Sequence, residues 1–474
     1  MLKNPVWKTA VRRLSHPAAG DGKLGAFLGV FTPSVLTILG VILFLRIGWM
    51  VGNTGLFPAL LIVAIANAIT LATALSVSAV ATNMFVGAGG AYYILSRSLG
   101  LEIGGAIGIP LFLAQTFSVT LYAFGFAESL QFVWPEAPIQ PIAAVTVLLV
   151  SLISGRSANL ALRLQIPILI LLVLALGSLF VGVFGAPEFQ AGLWRGVENA
   201  PSFWVVFAVF FPAVTGIMAG VSLSGDLKNP TRSIPRGTLA AVLVGFAIYL
   251  AVPVVLAMGA DNQTLVKDPL IWMTVSALPL LVMPGLWGAI LSSAVGSMLG
   301  APRTLEALVE DDVMPQVLQT KKERNGPGRA HIISTLAALV GVGLGDLNAV
   351  APVLTMFFLT TYGMINLVAG LERLSGAPSF RPMVRIPAWV SLFGAVGCFW
   401  VMFLINSLAC IIAIIAEILI YLLLRRRSLT AAWGDLRFGV LMSLARSTLL
   451  QLRNLPVAPR NWRPHILVFA GDIE

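Results

Sequence analysis

The chain has 474 residues, of which 58% are hydrophobic and only 11% are charged, and its mean hydropathy is +0.93. Soluble domains carry roughly a quarter of charged residues, so this composition excludes a water-soluble enzyme and predicts many membrane spans. The net charge of +10 raises the question of which side of the bilayer holds the basic excess.

The amino terminus is polar and basic, without the short apolar core and cleavage site of a signal peptide. We interpret residues 1–26 as a cytoplasmic segment and residues 27–424 as a transmembrane domain. A helix needs about 20 residues to cross the hydrocarbon core. Twelve predicted spans follow in chain order, at residues 27–51, 57–82, 102–133, 139–154, 163–185, 203–222, 236–259, 272–299, 331–344, 348–371, 387–405 and 407–424.

The basic residues test this count independently of hydropathy. With a cytoplasmic amino terminus, the outer loops contain only Arg195 and Lys267, and Arg46 lies near the outer end of the first span. The other 27 of the 30 basic residues then lie inside. Because basic residues concentrate on the cytoplasmic side, the pattern predicts twelve spans with both termini cytoplasmic and gives no reason to expect a nucleic-acid partner.

Two of the spans carry matched interruptions. The first contains Pro33, Thr37 and Gly40, and the sixth contains Pro212 followed by the Thr215–Gly216 pair. Broken membrane helices expose backbone groups that bind ions or solutes. The spacing of the two interruptions fits a five-helix unit repeated with inverted topology, in which spans one and six cross at the midplane. Prolines and glycines are also common in membrane helices, which is the simpler interpretation.

The stretches around the interruptions lack ionisable residues, which favours small inorganic ions over an organic ion. Chloride can be held by backbone N–H groups at a helix start, and an alkali cation by carbonyl and hydroxyl oxygens. Any single hydroxyl could instead bond the carbonyl one turn back. The candidate hydroxyls within spans are those of Thr37, Tyr122, Thr215, Ser292, Ser293 and Tyr362.

Several long motifs resemble the cation-chloride cotransporters, the Na-K-Cl and K-Cl carriers of the amino acid-polyamine-organocation superfamily. The resemblance extends over nearly the whole chain. It implies an all-α membrane protein of twelve helices, ten of them forming a LeuT-like inverted repeat. The stretches that carry it are LTILGVILFLRIGWMVGNTG, GGAYYILSRSLGLEIGGAIG, LYAFGFAESL, FFPAVTGIMAGVSLSGDLKNPTRSIPRGTL, LSSAVGSMLGAPRTLEALVEDDVMP, TTYGMINL and NWRPHILVFAG.

The resemblance also implies ion sites, with the ions as substrates and no cofactor. One chloride would lie over the backbone of Gly40, Val41 and Ile42, and a second over Gly216, Ile217 and Met218 with the hydroxyl of Tyr362. The potassium site would draw on Thr37, Ile38, Tyr122, Pro212 and Thr215, and the sodium site on Leu36, Leu39, Ser292 and Ser293.

Three of these positions distinguish branches of the family. The paired serines Ser292 and Ser293 favour sodium coupling, because the K-Cl branch lacks them, and Tyr122 favours a potassium site. Thr37 departs from the pattern, since the Na-K-Cl carriers have Asn there, and its shorter side chain puts the potassium site in doubt. Arg46 and Glu128 match residues that pair as an extracellular gate, although two independent snorkelling side chains would give the same pattern.

The remaining segments suggest less chemistry. We interpret residues 301–329 as a solvated cytoplasmic connector, with a short amphipathic helix lying against the bundle as the alternative. Residues 425–474, with the strand-like HILVFAGDIE, are interpreted as a cytoplasmic tail that begins a further domain, either truncated or naturally minimal. Contacts between the protomers of a homodimer would be weakened if that domain is missing.

The leading hypothesis is a plasma-membrane symporter that couples chloride, with or without potassium, to sodium. An amino acid or polyamine permease on the same scaffold is the alternative. A non-transporting membrane subunit is less favoured, and no nucleophile, base and orienting group occur together as an enzyme would need.

Overall fold

The structure is a computed structural model that describes residues 24–83, 86, 89–156, 158–185, 188–318, 328–375, 380–427 and 436–454. Within these ranges the chain is helical and contains no strand, apart from a single bridge between Leu24 and Leu227. Most of the amino-terminal segment, part of the connector after the eighth span and the strand-like end of the tail lie outside the described residues.

Thirteen helices organise the described part of the chain. They are α1 Phe27–Leu45, α2 Leu56–Asn83, α3 Leu101–Leu130, α4 Ile139–Arg156, α5 Ala158–Phe184, α6 Phe203–Ser222, α7 Pro230–Gly259, α8 Pro279–Glu310, α9 Arg329–Val342, α10 Leu347–Ser375, α11 Ala388–Ile405, α12 Ser407–Arg426 and α13 Leu436–Asn454. The first and the sixth are interrupted. Short helices also form at Ile47–Thr54, Ala91–Leu99, Asn262–Lys267 and Ile271–Val275.

Eleven of the helices in the described ranges are long and apolar enough to cross a membrane, so the chain is a multi-pass membrane protein. The remaining apolar helix, α9, has only 14 residues. At 1.5 Å per residue it extends about 21 Å, less than the roughly 30 Å hydrocarbon core. The count of twelve spans and the inverted repeat therefore remain predictions.

The predicted boundaries of the eighth span were wrong at both ends. The eighth span does not begin at residue 272, because Ile271–Val275 forms a separate helix and α8 starts at Pro279, where a proline without an N–H is well placed. It also does not end at residue 299, since buried Leu305 and Leu308 continue its apolar face to Glu310. The first part of the predicted solvated connector is thus a packed helix.

The first span was expected to continue to residue 51, but α1 ends at Leu45. Arg46 leaves the helical conformation there, with φ −125° and ψ −14°, and Ile47–Thr54 follows as a separate helix. This bend brings a charged side chain to the end of α1 while the apolar residues before it stay in the core.

Burial separates enclosed helices from exposed ones. The most apolar stretch of α6 is 89% buried and those of α1 and α3 are 83% buried, whereas that of α12 is only 11% buried. Helices that are apolar but exposed meet lipid in a membrane. The two interrupted helices therefore lie, together with α3, in the protein-enclosed part of the bundle.

Candidate functional site

The interruption of α1 lies where the sequence predicted it. Helical geometry holds from Thr32 to Ile38, is lost at Leu39 and Gly40, and resumes at Val41. The Thr37 hydroxyl donates a hydrogen bond to the Pro33 carbonyl at 2.8 Å. Because its only proton is used in this way, the lone pairs of that hydroxyl remain available to a cation.

The interruption of α6 has the same elements in a different conformation. An α-helix ends at Phe210, a tight 3-10 turn covers Phe211–Val214, and a second α-helix begins at Ile217. The Thr215 hydroxyl donates to the Pro212 carbonyl at 2.8 Å, and the Thr215 N–H donates to the same carbonyl at 3.2 Å. Both lone pairs of the Pro212 carbonyl are thus engaged, so its predicted role as a potassium ligand requires rearrangement.

The two interruptions lie against each other, and glycine makes this possible. A β-carbon at Gly216 would lie 2.7 Å from the backbone nitrogen of Ile38 and 2.9 Å from the carbonyl of Ser34. Real β-carbons essentially never approach other atoms below 3.0 Å. The crossing of the first and sixth spans therefore depends on the absence of a side chain at residue 216.

A small cavity of about 20 Å³ opens beside the crossing, room for about one water-sized particle. No described residue that lines it carries a charge. Five of the predicted ligands contribute to its wall, and it extends toward the end of the bundle where α6 finishes. Its lining is formed by Thr37, Gln115, Ser118, Tyr122, Thr215, Gly216, Met218, Ala219, Ser222, Gly296, Ser297, Gly300 and Phe358.

The predicted sodium ligands are partly brought together. The Ser293 hydroxyl on α8 lies 3.1 Å from the Leu36 carbonyl on α1 and 2.7 Å from the Ala289 carbonyl one turn back. Ser293 is buried and Tyr122 neighbours its hydroxyl, while Ser292 is half-buried. Leu39 lies in the interruption itself, outside helical geometry. Of the two predicted serines, Ser293 is therefore the one that the structure shows hydrogen-bonded to α1.

The predicted chloride groups lie at two short helix starts. Val41 and Ile42 occupy the first turn after Gly40, where N–H groups have no intrahelical acceptor. In α6 the corresponding residue is Ile217, since the Met218 N–H already lies 3.4 Å from the Thr215 carbonyl.

The hydroxyl that was assigned to the second chloride is occupied in this structure. The Tyr362 hydroxyl on α10 donates to the Thr215 carbonyl at 2.8 Å, and the side chain is fully buried. A phenol has one proton to donate, so a bound anion would have to compete with this carbonyl. Tyr362 therefore ties α10 directly to the interruption of α6.

Arg46 and Glu128 form an ion pair. The Arg46 guanidinium contacts both Glu128 carboxylate oxygens, at 2.8 and 3.0 Å, and also bonds the Asn348 side chain at 2.8 Å. The pair lines a vestibule of about 520 Å³ together with Asp268 and Trp49. We call this side of the molecule the Arg46 end. Independent snorkelling is excluded for these two side chains in this conformation.

The opposite side of the bundle, the Asp311 end, has charge pairs that the sequence did not reveal. Arg97 contacts both Asp311 oxygens, at 2.7 and 3.0 Å, and the Tyr92 hydroxyl donates to the same carboxylate at 2.8 Å. Burial and the Asp311 carboxylate raise the pKa of Tyr92, which keeps this donor protonated. A second pair joins Arg303 to Asp226 at 2.9 Å.

Sequence reasoning also missed Tyr249 on α7, whose buried hydroxyl donates to the Ile38 carbonyl. Ile38 is a predicted potassium ligand, so the Tyr249 hydroxyl and a bound potassium ion would contact the same carbonyl oxygen. The available signal was a single tyrosine in an otherwise apolar span. Gln115 on α3 is a second omission, because it lines the cavity and accepts a hydrogen bond from Thr304 at 2.8 Å.

Comparison with known proteins places these features in a family. A family model described as amino acid permease matches residues 29–468. Solute carrier family 12 member 1 of Homo sapiens is 32% identical over 520 aligned positions, covering 96% of this chain and 47% of the relative. Solute carrier family 12 member 2 is 31% identical over 528 positions in Homo sapiens, covering 98% of this chain and 44% of the relative, and 31% identical over 538 positions in Danio rerio, covering 98% and 47%.

The chain thus spans about half the length of these curated relatives, and the similarity extends over almost all of it. Both comparisons identify carriers and permeases, in agreement with the prediction that the chain is not an enzyme. The resemblance to cation-chloride cotransporters that the motifs indicated is confirmed at the level of the family. The chain belongs to the amino acid permease family.

Proposed function

We propose that the protein is a secondary active cation-chloride cotransporter, in which sodium moving down its gradient carries chloride, with or without potassium, by alternating access. The observation that carries this proposal is the uncharged cavity between two interrupted helices, with Ser293 directed at the Leu36 carbonyl beside it. Alkali cations are bound by such carbonyl and hydroxyl oxygens.

Sodium is assigned to the space between α1 and α8. Ser293 and the carbonyls of Leu36 and Leu39 supply oxygen ligands, with Ser292 completing the set after a small rotation of α8. In the described state the Ser293 hydroxyl has one proton for two carbonyls, and the Ala289 carbonyl at 2.7 Å is closer than the Leu36 carbonyl at 3.1 Å. Sodium binding leaves this proton directed at the Ala289 carbonyl, so that the lone pairs of the hydroxyl face α1.

Potassium and chloride are assigned to the crossing itself. Thr37, Tyr122 and Thr215 line the cavity and offer oxygens to a potassium ion, with the carbonyls of Ile38 and Pro212 freed by rearrangement. Backbone N–H groups of Gly40, Val41 and Ile42 hold one chloride, because helix starts attract anions. Those of Gly216, Ile217 and Met218, with the Tyr362 hydroxyl, hold the second.

Alternating access follows from the two ends of the bundle. The Arg46–Glu128 pair closes the outer vestibule when the inner side opens, and separates when the outer side opens. We place the Arg46 end outside, both termini in the cytoplasm and the protein in the plasma membrane, either as a monomer or as a homodimer. Under this orientation the basic excess faces the cytoplasm, as is usual for membrane proteins.

The test is uptake of radioactive chloride and of rubidium, a potassium substitute, into liposomes that contain the purified protein. We expect chloride uptake to require external sodium and rubidium uptake to require both sodium and chloride. Uptake that is indifferent to sodium and chloride would overturn the proposal. Competition by an amino acid would instead support a permease, although a cavity of about 20 Å³ is too small for one in this conformation.

Thr37 offers a sharper test of the potassium site. Replacing it by the residue of the Na-K-Cl carriers, Thr37→Asn, supplies a longer carbonyl oxygen at the interruption. We expect rubidium to bind severalfold more tightly in Thr37→Asn while the sodium dependence is unchanged. The matched control is Thr361→Asn, since Thr361 is a buried threonine on α10 whose hydroxyl bonds the Phe357 carbonyl. Equal effects of both variants would remove Thr37 from the potassium site.

A further inference from the structure

A groove unrelated to the central cavity runs between α4 and α9. It has a volume of about 720 Å³. Its walls are leucines, including Leu148, Leu152 and Leu336, and the last two are 51% and 57% exposed. Its polar end is formed by Arg156 and His331. The groove thus combines an apolar trough with a basic end at the boundary of two apolar helices.

The polar end is held in place by a hydrogen-bonded cluster. The His331 Nε2 lies 2.9 Å from the Ser151 carbonyl and 3.0 Å from the Ser151 hydroxyl, and this hydroxyl lies 2.7 Å from that of Thr335. A carbonyl only accepts, so Nε2 carries the proton. Gly155 permits the approach, because a β-carbon there would lie 3.3 Å from the imidazole.

The positive charge at this end is that of Arg156, which is exposed and forms no ion pair with any residue that the structure describes. The start of α9 adds to the field, since its N-cap residue Gly328 provides no side-chain acceptor for the first N–H groups. Such starts carry a partial positive charge.

The walls of the groove require an apolar occupant. Leu152 and Leu336 are exposed on two helices of a membrane protein, so acyl chains of the bilayer are the apolar material available to fill the trough. The shortness of α9 adds to this requirement, because a helix of about 21 Å leaves part of the roughly 30 Å hydrocarbon thickness unmatched.

We propose that this groove binds one anionic phospholipid. Arg156 and the start of α9 hold its phosphate, and an acyl chain lies between Leu152 and Leu336. Basic pockets between membrane helices recognise anionic headgroups in this manner. A free phosphate would satisfy the charge but leave the apolar walls uncovered. The proposal does not depend on the transport function or on which ions are carried.

The test is native mass spectrometry of the detergent-purified protein with dioleoyl phosphatidylglycerol, with dioleoyl phosphatidylcholine as the neutral lipid and with inorganic phosphate. We expect one phosphatidylglycerol to bind more tightly than phosphatidylcholine. In Arg156→Gln its affinity should fall about fivefold. Arg373→Gln is the matched control, because Arg373 is an exposed arginine in the last turn of α10 and does not line the groove.

A second pair of variants tests the apolar wall. Leu336→Trp fills the trough and should weaken phosphatidylglycerol binding, whereas Val340→Trp, one turn further along α9 and 73% exposed, should not. Three outcomes would each overturn the proposal. They are equal binding of the two lipids, equal phosphatidylglycerol affinity in Arg156→Gln and Arg373→Gln, and binding of inorganic phosphate as tight as that of phosphatidylglycerol. A single monodisperse peak of each variant in size-exclusion chromatography verifies that it is folded, independently of lipid affinity and of transport.

Discussion

The two ends of the bundle are closed by ion pairs of very different exposure. At the Arg46 end, the side chains of Arg46 and Glu128 are only 8% and 12% exposed. At the Asp311 end, those of Arg303 and Asp226 are 27% and 47% exposed. The Arg97–Asp311 pair is intermediate, at 18% and 10%. The Arg46 end is therefore closed by one buried pair, whereas the Asp311 end has one nearly buried pair and one exposed pair.

This difference indicates which way the central cavity faces. Its lining continues through Ser222, Ser297 and Gly300 toward the Asp311 end, while the buried pair separates it from the vestibule at the Arg46 end. The structure thus describes a conformation closed by a buried pair at one end, and by one nearly buried and one exposed pair at the other. Variants that remove each ion pair in turn should lower the free energy of unfolding by amounts that follow the burial of the pair.

The largest effect is expected at the Arg46 end. Arg46→Ala leaves Glu128 buried without its cation, which typically costs about 3–5 kcal/mol. We expect the free energy of unfolding in mixed detergent to fall by about this amount. The double variant Arg46→Ala, Glu128→Ala is the control and should recover a large part of the lost free energy of unfolding, because no buried charge remains. A smaller loss in Arg46→Ala than in Asp226→Asn, the variant at the exposed pair, would contradict the comparison.

An intermediate effect is expected for Asp311→Asn. The substitution removes the charge that Arg97 and Tyr92 share but keeps the shape of the side chain. Hydrogen bonds to charged groups contribute about 1.5–3 kcal/mol, so the free energy of unfolding should decrease within that range. Asp312→Asn, an exposed neighbour, is the matched control and should leave it nearly unchanged.

The smallest effect is expected for Asp226→Asn. Because Asp226 is 47% exposed, solvent screens its pair with Arg303, and such pairs contribute at most about 1 kcal/mol. The unfolding free energy should change by less than this, while chloride uptake reports whether the pair affects opening at the Asp311 end. A destabilisation as large as that of Arg46→Ala would show that the two ends are closed equally firmly.

The interruptions were predictable from the sequence because their cause is local. Pro33 with Gly40, and Pro212 with Gly216, mark residues where helical bonding fails, and the structure places the interruptions there. The Arg46–Glu128 pair followed from family motifs.

The Asp311 end was not predictable in this way. Arg97 and Asp311 are far apart in the chain, and a charge-rich stretch after a long span is typical of solvated loops. Only the continuation of α8 to Glu310 brings Asp311 against Arg97. The Tyr249 contact with Ile38 has the same origin, since it depends on how α7 packs against α1.

The most direct test of the central claim is the sodium dependence of chloride uptake into liposomes by Ser293→Ala, compared with Ser334→Ala on α9. Ser293 contacts the Leu36 carbonyl, whereas Ser334 is a buried serine that bonds the Ala330 carbonyl on its own helix and does not line the cavity. We predict that Ser293→Ala loses sodium-stimulated chloride uptake and that Ser334→Ala retains it. Sodium stimulation that persists unchanged in Ser293→Ala would contradict the assignment of sodium coupling to this site.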